Sequence, residues 1–337
     1  MKAIGYRQAG SITRDDALIN VEIERPEVSG RDILVRVEAV SVNPVDVKLR
    51  GGRDPEGDGM RILGFDAAGV VEAIGAQVEN FAVGDRVFHA GSIARPGTNS
   101  EYHLVDERIV GGMPKSLDFS AAAALPLTAI TAWEMLFDRL EVERPTAEGG
   151  DCILVVGGAG GVGSITIQLL RALTDLKVIA TASRPETRAW VEQCGAHYVI
   201  DHREAMAPQV KALGIGAPGY VFSTNHTAYH FPDIVELIAP QGRFGLIDDP
   251  EALDVMPLKL KAISLHWELM FTRSLFETPD MAKQAALLNK LAELVDAGKV
   301  QSTVTEVLGK IDAATLKKAH AAIESGRTRG KLVLEGF

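Results

Sequence analysis

The chain has 337 residues, 46% hydrophobic and 24% charged, with a formal net charge of −10 and no long run of either sign. That is the composition of one or two ordinary globular domains, and the acidic balance argues against non-specific binding to nucleic acid or an anionic membrane. The start, Met1-Lys2-Ala3-Ile4-Gly5-Tyr6, lacks the apolar core of a secretion signal, no segment reads as a bilayer span, and Cys152 and Cys194 show no pairing pattern, so a reduced, cytoplasmic setting is expected.

Residues 1 to about 125 read as β-rich. Ile33, Val35 and Val37 alternate with Leu34, Arg36 and Glu38, as in a half-buried strand. A loop is expected at Gly51-Gly52-Arg53-Asp54-Pro55, strand character resumes over Gly64 to Glu72, and Gly84-Asp85-Arg86-Val87-Phe88 reads as a turn into a further strand. Short strands between Gly and Pro turns suggest a compact barrel-like domain. From about 120 the texture becomes helical: Ala121 to Ala124, then Thr131 to Leu140, with a break at Pro126.

Cys152 to Val156 are five apolar residues in a row, the pattern of a strand buried on both faces of a parallel sheet. The run breaks into Gly157-Gly158-Ala159-Gly160-Gly161-Val162-Gly163. Val162, Ile165, Leu169 and Leu173 then recur at helical spacing. The glycines therefore sit on a strand-to-helix turn, the context in which G-x-G-x-x-G binds a dinucleotide. Gly158 is expected to make the tight turn, Gly160 to let a pyrophosphate approach the backbone, and Gly163 to let helix and strand pack closely. Gly161 and Val162 lie at the helix start, whose free N–H groups favour an anion.

Further strand candidates are 177–181, 197–200, 219–223, 242–247 and 262–266, with helical patterns between them such as Pro185 to Cys194 and Pro232 to Ala239. This alternation predicts an α/β fold with a doubly wound parallel sheet. The last segment holds a helix over Met281 to Ala297, a strand near Val304, a helix over Ala313 to Ser325 and a closing strand, Lys331 to Leu334. That tail is expected to return to the first domain, with ligand in the cleft between the domains.

An NAD site carries Asp or Glu about 20 residues beyond the glycines. Here the second strand ends Ala180-Thr181-Ala182-Ser183-Arg184. A hydroxyl and a guanidinium in the acid's place suit the 2′-phosphate of NADPH, and an acid would repel it. The alternative is that Arg184 is a solvated residue at a helix start. His202 and Arg203, after the third strand, add positive charge nearby. Asn225 and Leu246, at later strand ends, complete the expected coenzyme set.

Several stretches together resemble the quinone oxidoreductase and zeta-crystallin branch of the medium-chain dehydrogenase/reductase superfamily. They are Gly150 to Leu154 with Gly158 to Gly163, Gln168 and Arg171; Ser41-Val42-Asn43-Pro44-Val45-Asp46; Gly64-Phe65-Asp66-Ala67-Ala68-Gly69; Val83 to Val87; Ala123 to Thr128 with Thr131-Ala132-Trp133; and Gly326 to Leu334. The resemblance covers nearly the whole chain and is strongest to the group often labelled zinc-type alcohol dehydrogenase-like. It implies a GroES-like β-rich catalytic domain (1–126 and 268–337) around a Rossmann NADP-binding domain (127–267). It also implies a homodimer joined through edge strands near 242–266, with a small-molecule substrate and neither nucleic acid nor membrane as partner.

Zinc-dependent relatives carry a Cys where Asn43 stands and a His where Phe65 stands, and neither replacement is a zinc ligand of use. Their structural zinc lobe needs four cysteines, and this chain has two. His226 and His230, four apart, lack a third ligand and read as loop or helix-start residues, so no metal is expected. The metal-free relatives are typically reductases of quinones or α,β-unsaturated carbonyls, whose conjugation spreads the developing charge. An alcohol or aldehyde dehydrogenase of the same fold, and a coenzyme-binding protein with little turnover, are the alternatives.

In this reading Asn43 donates to the developing oxyanion, or is simply a structural turn with Pro44. Asp46 orients a neighbour or caps that turn. Thr131 resembles a position near the nicotinamide, or is a core helix residue. Phe65 forms an apolar wall; Trp267, Met270 and Phe271 shape the substrate pocket or serve as core or dimer contacts. Lys331 reaches the coenzyme's phosphates or is an exposed strand cation.

Overall fold

The computed structural model describes residues 1–56, 59–146 and 150–337. They form two compact units, Met1–Ile130 with Phe271–Phe337, and Thr131–Met270.

In the first unit, β-branched runs punctuated by Gly and Pro give β1 (Lys2–Tyr6), β2 (Ile19–Glu22), β3 (Asp32–Ser41), β4 (Arg61–Ile62), β5 (Ala67–Ile74), β6 (Arg86–His89), β7 (Tyr102–Asp106) and β8 (Val110–Gly112). Leu34 is buried along with Ile33 and Val35, because β3 pairs with β5 along one edge and β7 along the other. The expected half-buried alternation holds only from Val35 to Ala39, since Val40 and Ser41 are buried as well. A helix, α1 (Pro44–Gly52), occupies the start of the expected loop: Pro44 sits at its first turn, where a missing N–H costs nothing. The extended run expected over 64–72 begins only at Ala67, leaving Phe65 and Asp66 in the approach to β5.

The helical stretch starts earlier than the pattern indicated. It comprises α2 (Phe119–Ala123), α3 (Pro126–Trp133) with the proline at its first position, and a wider π-turn over Glu134–Arg139. Contrary to the composition-based expectation, Phe119–Arg139 is long and apolar enough to pass as a membrane span, but 83% of the qualifying window is buried inside the fold, as in a core helix.

In the second unit, β9 (Cys152–Val156), α4 (Gly161–Leu173), β10 (Lys177–Thr181), α5 (Pro185–Gln193), β11 (Tyr198–Ile200), α6 (Met206–Ala212), β12 (Tyr220–Ser223), α7 (Thr227–Leu237), β13 (Arg243–Leu246) and β14 (Ser264–Trp267) follow one another. The six strands form one parallel sheet in the order β11-β10-β9-β12-β13-β14. This is the doubly wound arrangement, with β9 beside the point where the order reverses. Leu154, Ile179, Val221 and Phe244 from four adjacent strands share one buried core with Ile234 of α7. α7 starts five residues before the expected Pro232, which it carries within its length.

The tail adds α8 (Thr272–Leu275), α9 (Lys283–Asp296), β15 (Val304–Val307), α10 (Ala313–Glu324) and β16 (Lys331–Glu335). β16 pairs antiparallel with β3, so the last strand completes the sheet of the first unit.

Candidate functional site

The strand-to-helix turn after β9 is built by its glycines. Gly157, not Gly158, takes the left-handed conformation (φ 79°) that bends the chain. Its N–H donates to Thr181 Oγ1 at 2.9 Å, and Gly158 N–H to Thr181 O at 3.2 Å, so the turn is fastened to the end of β10. A methyl group on Gly163 would collide with Gly157 O and lie 2.7 Å from Gly158 Cα, which accounts for glycine where helix and turn meet. Gly160 differs: the nearest protein atom to a methyl there is 3.5 Å away. Packing within the fold therefore does not account for glycine at 160, and the backbone there is open to solvent. Gly160 caps α4, and Gly161 and Val162 begin its first turn. These residues fit a nucleotide diphosphate approaching unencumbered backbone. Asn225 is exposed and its side chain lies against Gly157. Leu246 instead belongs to the core of the sheet, fully buried at the end of β13.

The end of β10 presents Ser183 and Arg184, both half-buried. Arg184 is the N-cap of α5 and its Nε lies 3.2 Å from Glu186 Oε1, a solvent-exposed pair that holds it weakly. Arg203 donates from Nη2 to Ser183 O at 3.0 Å and is paired with Asp201. His202 stands edge-on to His230 at 5.9 Å, its Nδ1 buried without a partner. Burial holds its pKa below the usual imidazole value.

In the first unit the sequence-selected polar residues converge, in a different way from that expected. Asp66 is fully buried. Its Oδ2 accepts from Ser41 Oγ (2.7 Å), Asn43 Nδ2 (2.7 Å) and Lys331 Nζ (3.0 Å), while Oδ1 accepts the N–H of Leu127 in the first turn of α3 (2.7 Å). Lys331 also donates to Val42 O (3.0 Å) and to Asn43 Oδ1. Its three donors are spent, so it is neither an exposed strand cation nor a phosphate ligand. Asn43 is corrected likewise: both ends of its amide are engaged and its exposure is 0%, which removes it as a ready oxyanion donor. Asp46 accepts the N–H groups of Asn43 (2.8 Å) and Gly64 (2.9 Å), and burial raises its pKa to about 7. It fastens the start of α1 and, at 1% exposure, is buried beneath the surface.

Phe65 packs edge-to-face on Phe271, ring centroids 5.2 Å apart, and both are buried. Met270 is buried too, but Trp267 is 53% exposed at the end of β14, and Thr131 is buried in α3. Asp66, Ser41 and Thr181 escaped selection. Their signal was present: an acid in the apolar run Phe65-Asp66-Ala67 and a hydroxyl closing a buried strand, each requiring a buried partner.

The donor set does not suit zinc. Asn43 is tied to Asp66 and Lys331, Phe65 has no ligand atom, and the nearest carboxylate is already paired with an ammonium. Among the described residues no group of three His, Cys, Asp or Glu could hold a metal, the His226 and His230 spacing included.

Residues 29–116 match the family model for the alcohol dehydrogenase GroES-like domain, and residues 194–334 that for zinc-binding dehydrogenase. A zinc-type alcohol dehydrogenase-like protein of Staphylococcus aureus is 40% identical over 336 residues, covering 99% of each chain. The 2-methylene-furan-3-one reductase of Solanum lycopersicum is 35% identical over 99% of this chain and 79% of its own. A solved structure from Rhizobium etli CFN 42, described as a zinc-dependent alcohol dehydrogenase protein, is 58% identical, superposes with a TM-score of 0.98, and the match covers 100% of this chain and 98% of that one. Both expected parts of the fold, the GroES-like unit and the Rossmann sheet, are therefore present. The chain is an oxidoreductase of the medium-chain dehydrogenase/reductase superfamily, and belongs to its zinc-type alcohol dehydrogenase-like group within the quinone oxidoreductase branch.

Proposed function

We propose that this oxidoreductase is a zinc-independent, NADPH-dependent reductase of quinones or α,β-unsaturated carbonyls. The observation that carries the reading is the Asn43–Asp66–Lys331 cluster: Asn43, which stands where zinc relatives carry a ligating Cys, is spent on Asp66 and Lys331, and Phe65, which stands where they carry the His, has no ligand atom. An unactivated ketone needs a strong electrophile to stabilise its developing alkoxide. A conjugated acceptor delocalises that charge and needs far less help. The relative named as a furanone reductase acts on a conjugated carbonyl, in keeping with this choice.

The backbone of Gly157 to Gly163 would hold the diphosphate at the start of α4, and Ser183 with Arg184 would receive the 2′-phosphate. Bound there, the coenzyme supplies the hydride. Phe65 and Phe271 present buried aromatic surface in the first unit, which excludes water more readily than it polarises a carbonyl.

NADPH oxidation against a panel of quinones, enones, simple ketones and aldehydes tests the reading, with metal analysis of the same preparation. Turnover confined to conjugated acceptors, with zinc well below one per chain, is expected. Activity on simple alcohols and ketones that tracks bound zinc would overturn it.

The same reading extends to a homodimer. Among the described residues β14 is an edge strand paired only to β13; Trp267 at its end and Leu260 nearby in sequence are 53% and 94% exposed. An uncovered apolar strand edge is a template for a second copy. Sedimentation equilibrium should give twice the chain mass, and Trp267→Glu should halve it.

A further inference from the structure

Asp201 directly follows β11 and is a neighbour of the β10 terminus, where Ala182 N–H donates to Ile200 O at 3.0 Å. Gln209 pins its backbone, accepting from Asp201 N at 2.9 Å and donating to Asp201 O at 2.8 Å. The carboxylate thus has a fixed place one residue beyond the strand. It receives Arg203 N (2.9 Å), Nε (3.1 Å) and Nη2 (2.6 Å), and the same Nη2 reaches Ser183 O. The pair is a surface one, the Asp201 and Arg203 side chains being 21% and 65% exposed. Surface pairing of this kind contributes little to stability, and the same fork joins Arg108 to Asp106; what sets the Arg203 fork apart is its further bond to Ser183 O at the end of β10.

A bare carboxylate beside Ser183 would oppose a phosphate dianion by like-charge repulsion, and it would accept hydrogen bonds from a free ribose hydroxyl. The acid that would turn this site towards NADH is therefore present, one strand over from its usual place, and covered. We propose that Arg203 determines coenzyme specificity by masking Asp201. The fork cancels the repelling charge, and Nη1, which has no protein partner among the described residues, is free to donate to the 2′-phosphate. This rests on the reading of Ser183 and Arg184 as the 2′-phosphate site.

The test is a titration of NADPH and NADH by calorimetry on the wild type, Arg203→Ala, Asp201→Asn, the double variant and Arg184→Ala, with thermal midpoints to confirm folding. Arg203→Ala should lower the NADPH-to-NADH affinity ratio by about tenfold or more, since a charge-assisted donor is lost and a repelling charge uncovered. Asp201→Asn in the Arg203→Ala background should recover a substantial part of that loss, because the uncovered charge is gone. An unchanged ratio in Arg203→Ala, or no recovery in the double variant, overturns the masking role. Arg184→Ala separates the two claims. Selective loss of NADPH there, with Arg203→Ala silent, sinks only the role of Arg203. Equal loss of both coenzymes in Arg184→Ala, with no NADPH preference in the wild type, sinks the phosphate site itself.

Discussion

Lys331 Nζ lies 3.0 Å from Asp66 Oδ2, with side-chain exposures of 3% and 0%. A charged pair taken this far from water survives only when nearly every donor and acceptor is met, and here Ser41, Asn43, Val42 and Leu127 meet them. Lys331→Met leaves a buried carboxylate without its counter-charge and should cost about 3–5 kcal/mol in urea unfolding of the full chain. Adding Asp66→Asn should recover part of that loss, because no buried charge then remains. A Lys331→Met loss below about 1 kcal/mol would show the pair to be solvated.

The glycines of the turn divide by what they meet. Gly163→Ala drives a methyl into Gly157 O and should destabilise the protein by about 1–3 kcal/mol, lowering the thermal midpoint. Gly160→Ala meets nothing closer than 3.5 Å and should leave the midpoint nearly unchanged while weakening NADPH binding at least tenfold by calorimetry. Tight binding by Gly160→Ala would move the diphosphate elsewhere.

Stability should respond to pH through opposed groups. Burial pushes His103 and His320 down to about 3, with Arg95 and Arg50 adding to it, and His89, 2.9 Å from His103, is lowered as well. The unfolded chain takes up these protons near pH 6.5 and the folded chain does not. For His103 and His320 that stabilisation is complete above about 6.5 and is lost as pH falls towards 3. Asp46 runs the other way. With its folded value raised to about 7, its contribution is complete below the unfolded value of 3.8 and is lost as pH rises to about 7. Urea unfolding from pH 4 to 8 should show Asp46→Asn gaining on the wild type as pH rises. His320→Leu, which removes two buried ring nitrogens without partners, should flatten the acid limb by on the order of a few kcal/mol.

Cys152 and Cys194 are both buried, and desolvation lifts their thiols to about 11 and about 12. The nucleophilic thiolate is then scarce at neutral pH. Iodoacetamide at pH 8 should leave both unmodified in the native protein over hours and label both in urea. Rapid native labelling of Cys152 would contradict the burial of β9, and of Cys194 the burial of the end of α5.

The run Cys152 to Val156 and the seven residues after it were enough to place a buried strand, a glycine turn and a helix, because each depends on neighbours in the chain. Burial on both faces selects continuous apolar residues, and the turn selects residues without a Cβ. The glycine turn at the end of β9 was legible for the same reason, although the residue that bends the chain proved to be Gly157, one position before the motif's first glycine. In the first unit the sequence singled out Asn43, Asp46 and Lys331 as polar residues of consequence; the structural alternative, a turn at Asn43 capped by Asp46, is what the fold contains, and neither reading of Lys331 is met. Lys331 meets Asp66 across 265 residues and Asn43 across 288. Whether a lysine in a strand reaches solvent, a phosphate or a buried carboxylate depends on which segment the closing strand pairs with. That pairing, β16 on β3, is set by the packing of the whole unit and by no periodicity within the strand itself.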